Sequence, residues 1–108
     1  MKNKLFVFVL MTLLVLSSTG LLFAIEKPVL EKYVQPEYPL NLLKRDIEGR
    51  TIVQLEIDKV GSIQKVKIKE SSGFESFDNA ALKAASNWKY EKLDNNITVN
   101  VPIRFKIE

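Results

Sequence analysis

From Ile97 to Ile107 the chain alternates without a break. Ile97, Val99, Val101, Ile103, Phe105 and Ile107 are apolar, and every even position between them is polar or proline. Period two over this length fits one face of a pleated strand and no face of a helix. A strand so apolar on one face needs a sheet around it and a layer over it. The rest of the chain supplies both. Thr51–Asp58 alternates too, with Val53, Leu55 and Ile57 on one face and Gln54, Glu56 and Asp58 on the other. Lys59-Val60-Gly61-Ser62 reads as a turn centred on Gly61, and Ile63–Glu70 as the returning strand. Val66 and Ile68 point inward there, and Lys65, Lys67 and Lys69 point out, which discourages stray pairing at that edge.

The covering layer follows. Ser71-Ser72-Gly73 breaks the sheet, and Ser76 as N-cap predicts a helix from Phe77 to about Asn87. Asp78 in its first turn complements the helix dipole. Phe77, Ala81, Ala84, Ala85 and Trp88 form one stripe, with Trp88 read as core. Upstream, Leu40, Leu42, Leu43 and Ile47 have roughly helical spacing. Pro39 suits the first position of that short helix, and Gly49 after Glu48 suits a left-handed C-terminal position. Asp94-Asn95-Asn96 is a turn. A helix joining two strands of one sheet prefers a right-handed crossover, which sets the last strand beside the first. The expected fold is α+β: a three-stranded antiparallel sheet in the order 2-1-3, one helix packed on one face, a short N-terminal helix, and two free sheet edges.

Residues 1–24 read differently. Lys2 and Lys4 precede an apolar run from Leu5 to Leu16, which softens into Ser17-Ser18-Thr19-Gly20. That is the order of a secretory signal, with cleavage after Gly20 or Ala24. The stretch is also about long enough for an uncleaved membrane anchor. Export places the remainder in the periplasm, and an anchor leaves it facing the periplasm from the inner membrane. Residues 25–35 read as a short linker and 36–108 as the domain.

Charge and missing residues exclude whole classes of chemistry. Removing Lys2 and Lys4 from the 16 basic residues leaves 14 against 13 acidic ones, a balance of +1. So small an excess gives little long-range attraction for phosphate backbones, and no nucleic-acid partner is expected. There is no Cys and no His. Disulfides and thiol nucleophiles fall away, and metal sites lose their usual ligands, so neither metal nor cofactor is expected. Ser71 and Ser72 have no His to activate them, and no Lys or carboxylate relay is evident, so a loop role fits better than a nucleophile. Glu56 and Asp58 share a face that reads as wet, where an acid catalyst's raised pKa does not arise. A catalyst is not expected.

Four separated motifs together resemble the TonB C-terminal domain family. They are Pro36-Glu37-Tyr38-Pro39; Glu48-Gly49 leading on to Gly61; Ser71-Ser72-Gly73 with Phe77-Asp78-Asn79-Ala80-Ala81-Leu82; and Trp88-Lys89-Tyr90 followed by Val101-Pro102-Ile103-Arg104-Phe105. The resemblance runs from about Val34 to Glu108. It implies a periplasmic, non-enzymatic domain that binds an extended segment, the TonB box, of a TonB-dependent outer-membrane receptor. The segment adds as a strand along the last strand of the domain. Carried over, Gln35, Pro36, Tyr38 and Pro39 flank that peptide, and Thr98, Asn100, Pro102, Arg104 and Lys106 line the receiving edge. Transducers of this family work with an inner-membrane proton-channel complex, ExbB–ExbD. Two departures argue against that link here. The first segment lacks the family's functional His, and the dozen or so residues between Ile25 and Tyr38 reach at most about 45 Å at ~3.4 Å per residue.

The residues themselves allow two readings of that edge. Proline inside a strand belongs at an edge, with its missing donor on the open side. If Pro102 faces outward, Thr98, Asn100, Arg104 and Lys106 also offer their backbone groups outward, and the odd residues pair with the first strand. An incoming strand would then find free donors and acceptors. The other reading is that Pro102 only blunts the edge against aggregation. A structural role, with self-association through the same edge and a homodimer, is the alternative to peptide capture. Tyr38 likewise either flanks a peptide or simply caps the core.

Overall fold

The computed structural model describes the backbone of residues 5–9 and the whole of residues 28–108. The alternating segments become the strands β3 (Gly49–Ile57), β4 (Ile63–Glu70) and β6 (Ile97–Ile107), with β3 between the other two. All are antiparallel. The β3–β6 register runs unbroken from Gly49↔Phe105 to Ile57↔Ile97, whereas β3–β4 is shifted between Ile52 and Val53 and again between Glu56 and Ile57. Bulges of this kind bend and twist a strand.

The expectation of three strands is corrected. Leu5–Val9 forms a strand, β1, and the sheet order is β1-β6-β3-β4. β1 lies antiparallel on the outer flank of β6, from Leu5↔Ile107 to Val9↔Ile103. That flank, read from the sequence as a free edge, is covered along Ile103–Ile107. The remainder of the expected signal or anchor, with both cleavage points, lies outside the described residues. A second sheet joins β2 (Leu30–Lys32), inside the stretch read as a linker, to β5 (Lys89–Tyr90), which follows α2. Among the described residues no helix is long and apolar enough to cross a membrane.

The helices are α1 (Leu40–Leu43) and α2 (Glu75–Ala85). Ser76 is not the N-cap of α2. Phe74 is, with no side-chain cap bond, and the helix begins two residues earlier than its spacing suggests. Gly49 does not close α1 either, because α1 ends six residues before it. Asp46 takes the left-handed conformation instead (φ 56°), and Ile47 N–H bonds back to Leu42 O at 3.0 Å. Aspartate tolerates that region better than most residues. Gly49 opens β3, where a side chain would strike the Phe77 ring at 2.8 Å.

α2 lays Phe77, Ala81 and Ala85 over the sheet face made by Val53, Leu55 and Ile57 of β3 and Val101, Ile103 and Phe105 of β6, while the buried Ala84 lines a neighbouring groove. Its alanines carry little bulk, so helix and sheet approach closely. Trp88, Tyr90 and Leu93 close one end of this core and Tyr38 and Leu42 also join it. Trp88 is buried as its spacing suggests, and its indole N–H donates to Val34 O at 2.7 Å.

Candidate functional site

In an antiparallel strand, backbone groups point to alternate flanks. The amide of Ile107 donates to the Glu48 carboxylate (Oε2) at 2.8 Å, on the β3 side of β6. With an unbroken register, the amides of Phe105, Ile103 and Val101 face the same way. The even residues Thr98, Asn100, Pro102, Arg104 and Lys106 therefore direct their backbone groups to the outer flank. Pro102 lacks a donor on that flank, where β3 loses nothing by it. β1 reaches Ile103, one residue short of Pro102, so Arg104 and Lys106 stand opposite Phe8 and Phe6.

The side chains of these even residues lie on the sheet face away from α2. Thr98 and Lys106 are exposed, and Asn100, Pro102 and Arg104 half-buried. Asn100 Oδ1 accepts a long bond (3.3 Å) from Gln54 Nε2. Arg104 stands opposite Arg50, and Arg50 turns to Glu70 in a 3.2 Å ion pair across the other strand. This pairing takes one cation away from the like charge beside it.

The Gln35–Pro39 segment lies on the helix side. Pro36 is fully buried, Tyr38 is 8% exposed, Pro39 is half-buried and Gln35 is exposed. Tyr38 is a wedge. Its ring meets Phe77 and Phe105 edge-on, each with centroids 5.6 Å apart, and its hydroxyl donates to Ile47 O at 2.6 Å. Burial raises its pKa, and the nearby Glu48 and Asp46 carboxylates add to that. Gln35, Tyr38, Pro39 and the exposed Leu40 form one wall of a groove of about 720 Å³, and Asn79 and Lys83 of α2, with Asn87 just past its end, line the other. The nine residues singled out from sequence thus do not share one pocket. Five line the outer flank and far face of β6. Gln35, Tyr38 and Pro39 line the groove on the opposite face, and Pro36 is packed beneath. Tyr38 links the two sets through Phe105.

Sequence reasoning missed a polar cluster at the start of α2. Thr51, fully buried on the core face of β3, donates to Asp78 Oδ1 at 2.9 Å. The same carboxylate accepts from the hydroxyl of Ser71, and from the hydroxyl and amide of Ser72 at 2.9 and 3.0 Å. The carboxylate thought absent near these serines comes from a residue six or seven positions on, and it ties the loop after β4 to α2 and β3. The only sequence signal was that Asp78 falls one helical step after Phe77, pointing back toward the Ser-Ser turn. Burial alone would raise the Asp78 pKa, but the bonds from Ser71, Ser72 and Thr51 outweigh it and hold the carboxyl below its ordinary 3.8.

Asp78→Ala leaves a buried hydroxyl without its acceptor and unties the loop. The expected cost is about 2–3 kcal/mol at neutral pH, read by urea unfolding. The pH dependence has a definite sign. As pH falls the unfolded chain takes up this proton first, so Asp78's contribution is complete above 3.8 and is lost as pH drops through the lower folded value. The gap between the two proteins should close below that pH. A gap that stays constant would mean Asp78 stabilises by packing alone.

Comparison with known proteins gives this arrangement a family. A model of the Gram-negative bacterial TonB protein C-terminal region matches residues 34–107. The Protein TonB of Vibrio cholerae serotype O1 is 38% identical over 90 residues, covering 78% of this chain and 37% of its own length. The Protein tonB2 of Pseudomonas aeruginosa is 33% identical over 78 residues, covering 67% of this chain and 28% of its own. The chain thus spans well under half the length of these relatives. A solution NMR structure of the P. aeruginosa TonB CTD superposes with a TM-score of 0.52 at 26% identity, covering 75% of this chain and 82% of that one. With the match spanning β3, β4, β6, both helices and the Gln35–Pro39 segment, the chain belongs to the TonB C-terminal domain family.

Proposed function

We propose that this domain works on the periplasmic side and captures an extended segment of an outer-membrane transporter by adding it as a strand to the outer flank of β6, as part of energy-dependent uptake. One observation carries the reading. The backbone groups of Thr98, Asn100, Arg104 and Lys106 are directed away from β3, and an extended segment, Leu5–Val9, already pairs on that flank. A flank that accepts a strand from its own chain has the geometry to accept one from another chain. Among the described residues Ile97–Pro102 has no strand on that side. The groove behind Tyr38 lies on the other face and offers a second hold for the residues that flank the added strand.

The test is an NMR titration with a synthetic peptide copied from the extended periplasmic segment of an outer-membrane transporter. The amides of Thr98, Asn100, Arg104 and Lys106 should shift, and those of Val101 and Ile103 much less. Asn100→Pro removes one outward donor and leaves the β3 ladder intact, so it should weaken binding about three- to tenfold with little loss of stability. No shift at millimolar peptide, in a chain freed of Leu5–Val9 as well as in the intact one, defeats the proposal. A stable dimer in sedimentation, closed through β6 and blind to peptide, would favour self-association instead.

A further inference from the structure

We propose that Leu5–Val9 is a built-in occupant of the peptide-binding flank, and that the domain stays closed to an external strand until this segment leaves. The inference rests on the strand-addition reading above. β1 takes five consecutive register positions on β6, Ile103 to Ile107, and lies opposite both Arg104 and Lys106. The alternation fixed by the Ile107–Glu48 bond directs the backbone groups of Arg104 and Lys106 at Phe8 and Phe6. These are two of the outward-facing residues an incoming peptide needs. One flank of one strand holds one neighbour at a time, so the two occupants exclude each other.

The competition is unequal, because the occupant belongs to the same chain. A tethered segment acts at an effective concentration on the order of millimolar, and the apparent affinity for any rival falls by the fraction of time the flank is open. Residues 1–24, which contain β1, are also the stretch whose composition marks it for export cleavage or membrane insertion. Either event withdraws Leu5–Val9 from the sheet. The arrangement covers the end of a reactive edge while the chain is unprocessed and opens it where the partner is found.

Phe6→Pro/Phe8→Pro in the full chain removes the two amides that face β6. The transporter peptide should then bind about tenfold more tightly than to the unmodified chain. Equal binding to both proteins overturns the occupancy and leaves strand addition standing. Binding to neither overturns both. Hydrogen exchange on the unmodified chain gives a second, variant-free check. The amides of Arg104 and Lys106 should exchange more slowly than those of Thr98 and Asn100, and equal rates would also overturn the occupancy.

Discussion

Gly61→Ala is expected to destabilise the domain by roughly 3–5 kcal/mol, a large part of what a chain of this size holds in reserve. Two separate costs add. Gly61 has φ +90°, where a residue with a Cβ carries about 1–3 kcal/mol of strain. A Cβ there would also stand 1.9 Å from the carbonyl oxygen of Tyr90. That oxygen is backbone, so it cannot swing aside as a side-chain tip would, and the overlap adds about 1–3 kcal/mol. The approach is close because the turn is stitched to the chain after α2. Tyr90 N–H donates to Gly61 O at 2.9 Å, Leu93 N–H to Lys59 O at 2.8 Å, and Ser62 bridges Lys89. Relieving the clash means pulling these bonds apart. Gly73 provides the control. It has the same φ of +90°, but nothing lies within 4 Å of the position its Cβ would take. Gly73→Ala should cost about 1–2 kcal/mol from conformation alone. Urea unfolding of both variants separates the terms, and similar midpoints would mean the Tyr90 contact yields without cost.

The contrast between these two turns also shows what a sequence exposes. Gly61 and Gly73 are visible as breaks, but the wall against Gly61 belongs to residues some thirty positions away. The same division holds across the fold. β6 and β3 were legible because each turns one face to the core, with Val53, Leu55, Val101 and Ile103 shut off from solvent, and burial imposes period two. β2 and β5 have three and two residues, too few to show a period. β1 hides inside an unbroken apolar run, and its partner lies about a hundred residues downstream. At the site, the parity of β6 followed from Pro102, since a missing donor belongs on an edge. The Asp78 cluster was invisible, because Thr51 reaches it across the core from another strand. The start of α2 was also misread. Local cap rules favour Ser76, yet the backbone bond from Asp78 N–H to Phe74 O at 3.1 Å starts the helix at Glu75, with Phe74 as a cap that offers no side-chain bond.

The second large effect is expected at Phe77, the residue that fastens the helix to the strand carrying the proposed site. Its ring stacks on Phe105 with centroids 4.5 Å apart and meets Tyr38 and Phe74 edge-on at 5.6 and 5.9 Å. Phe77→Ala empties the middle of this cluster at a fully buried position and should cost about 3–5 kcal/mol. Part of that is specific to the ring pair. A double-mutant cycle with Phe105→Ala should return a coupling of about 0.5–1.5 kcal/mol. A sharper check uses Gly49, where an added methyl would meet the Phe77 ring at 2.8 Å. In the natural protein Gly49→Ala forces a buried ring to move and should destabilise. With Phe77→Ala the obstruction is gone, and the same methyl enters vacated space. Gly49→Ala should then be neutral or stabilising, a reversal of sign that thermal or urea unfolding can read directly. If Gly49→Ala costs the same in both backgrounds, the β3 backbone rather than the ring sets its penalty, and Phe77 does not hold α2 against the sheet in the way its contacts suggest. The consequence reaches the site through Tyr38. Its ring rests on Phe77 and Phe105 together, so removing Phe77 should loosen the groove wall even where the strand itself survives.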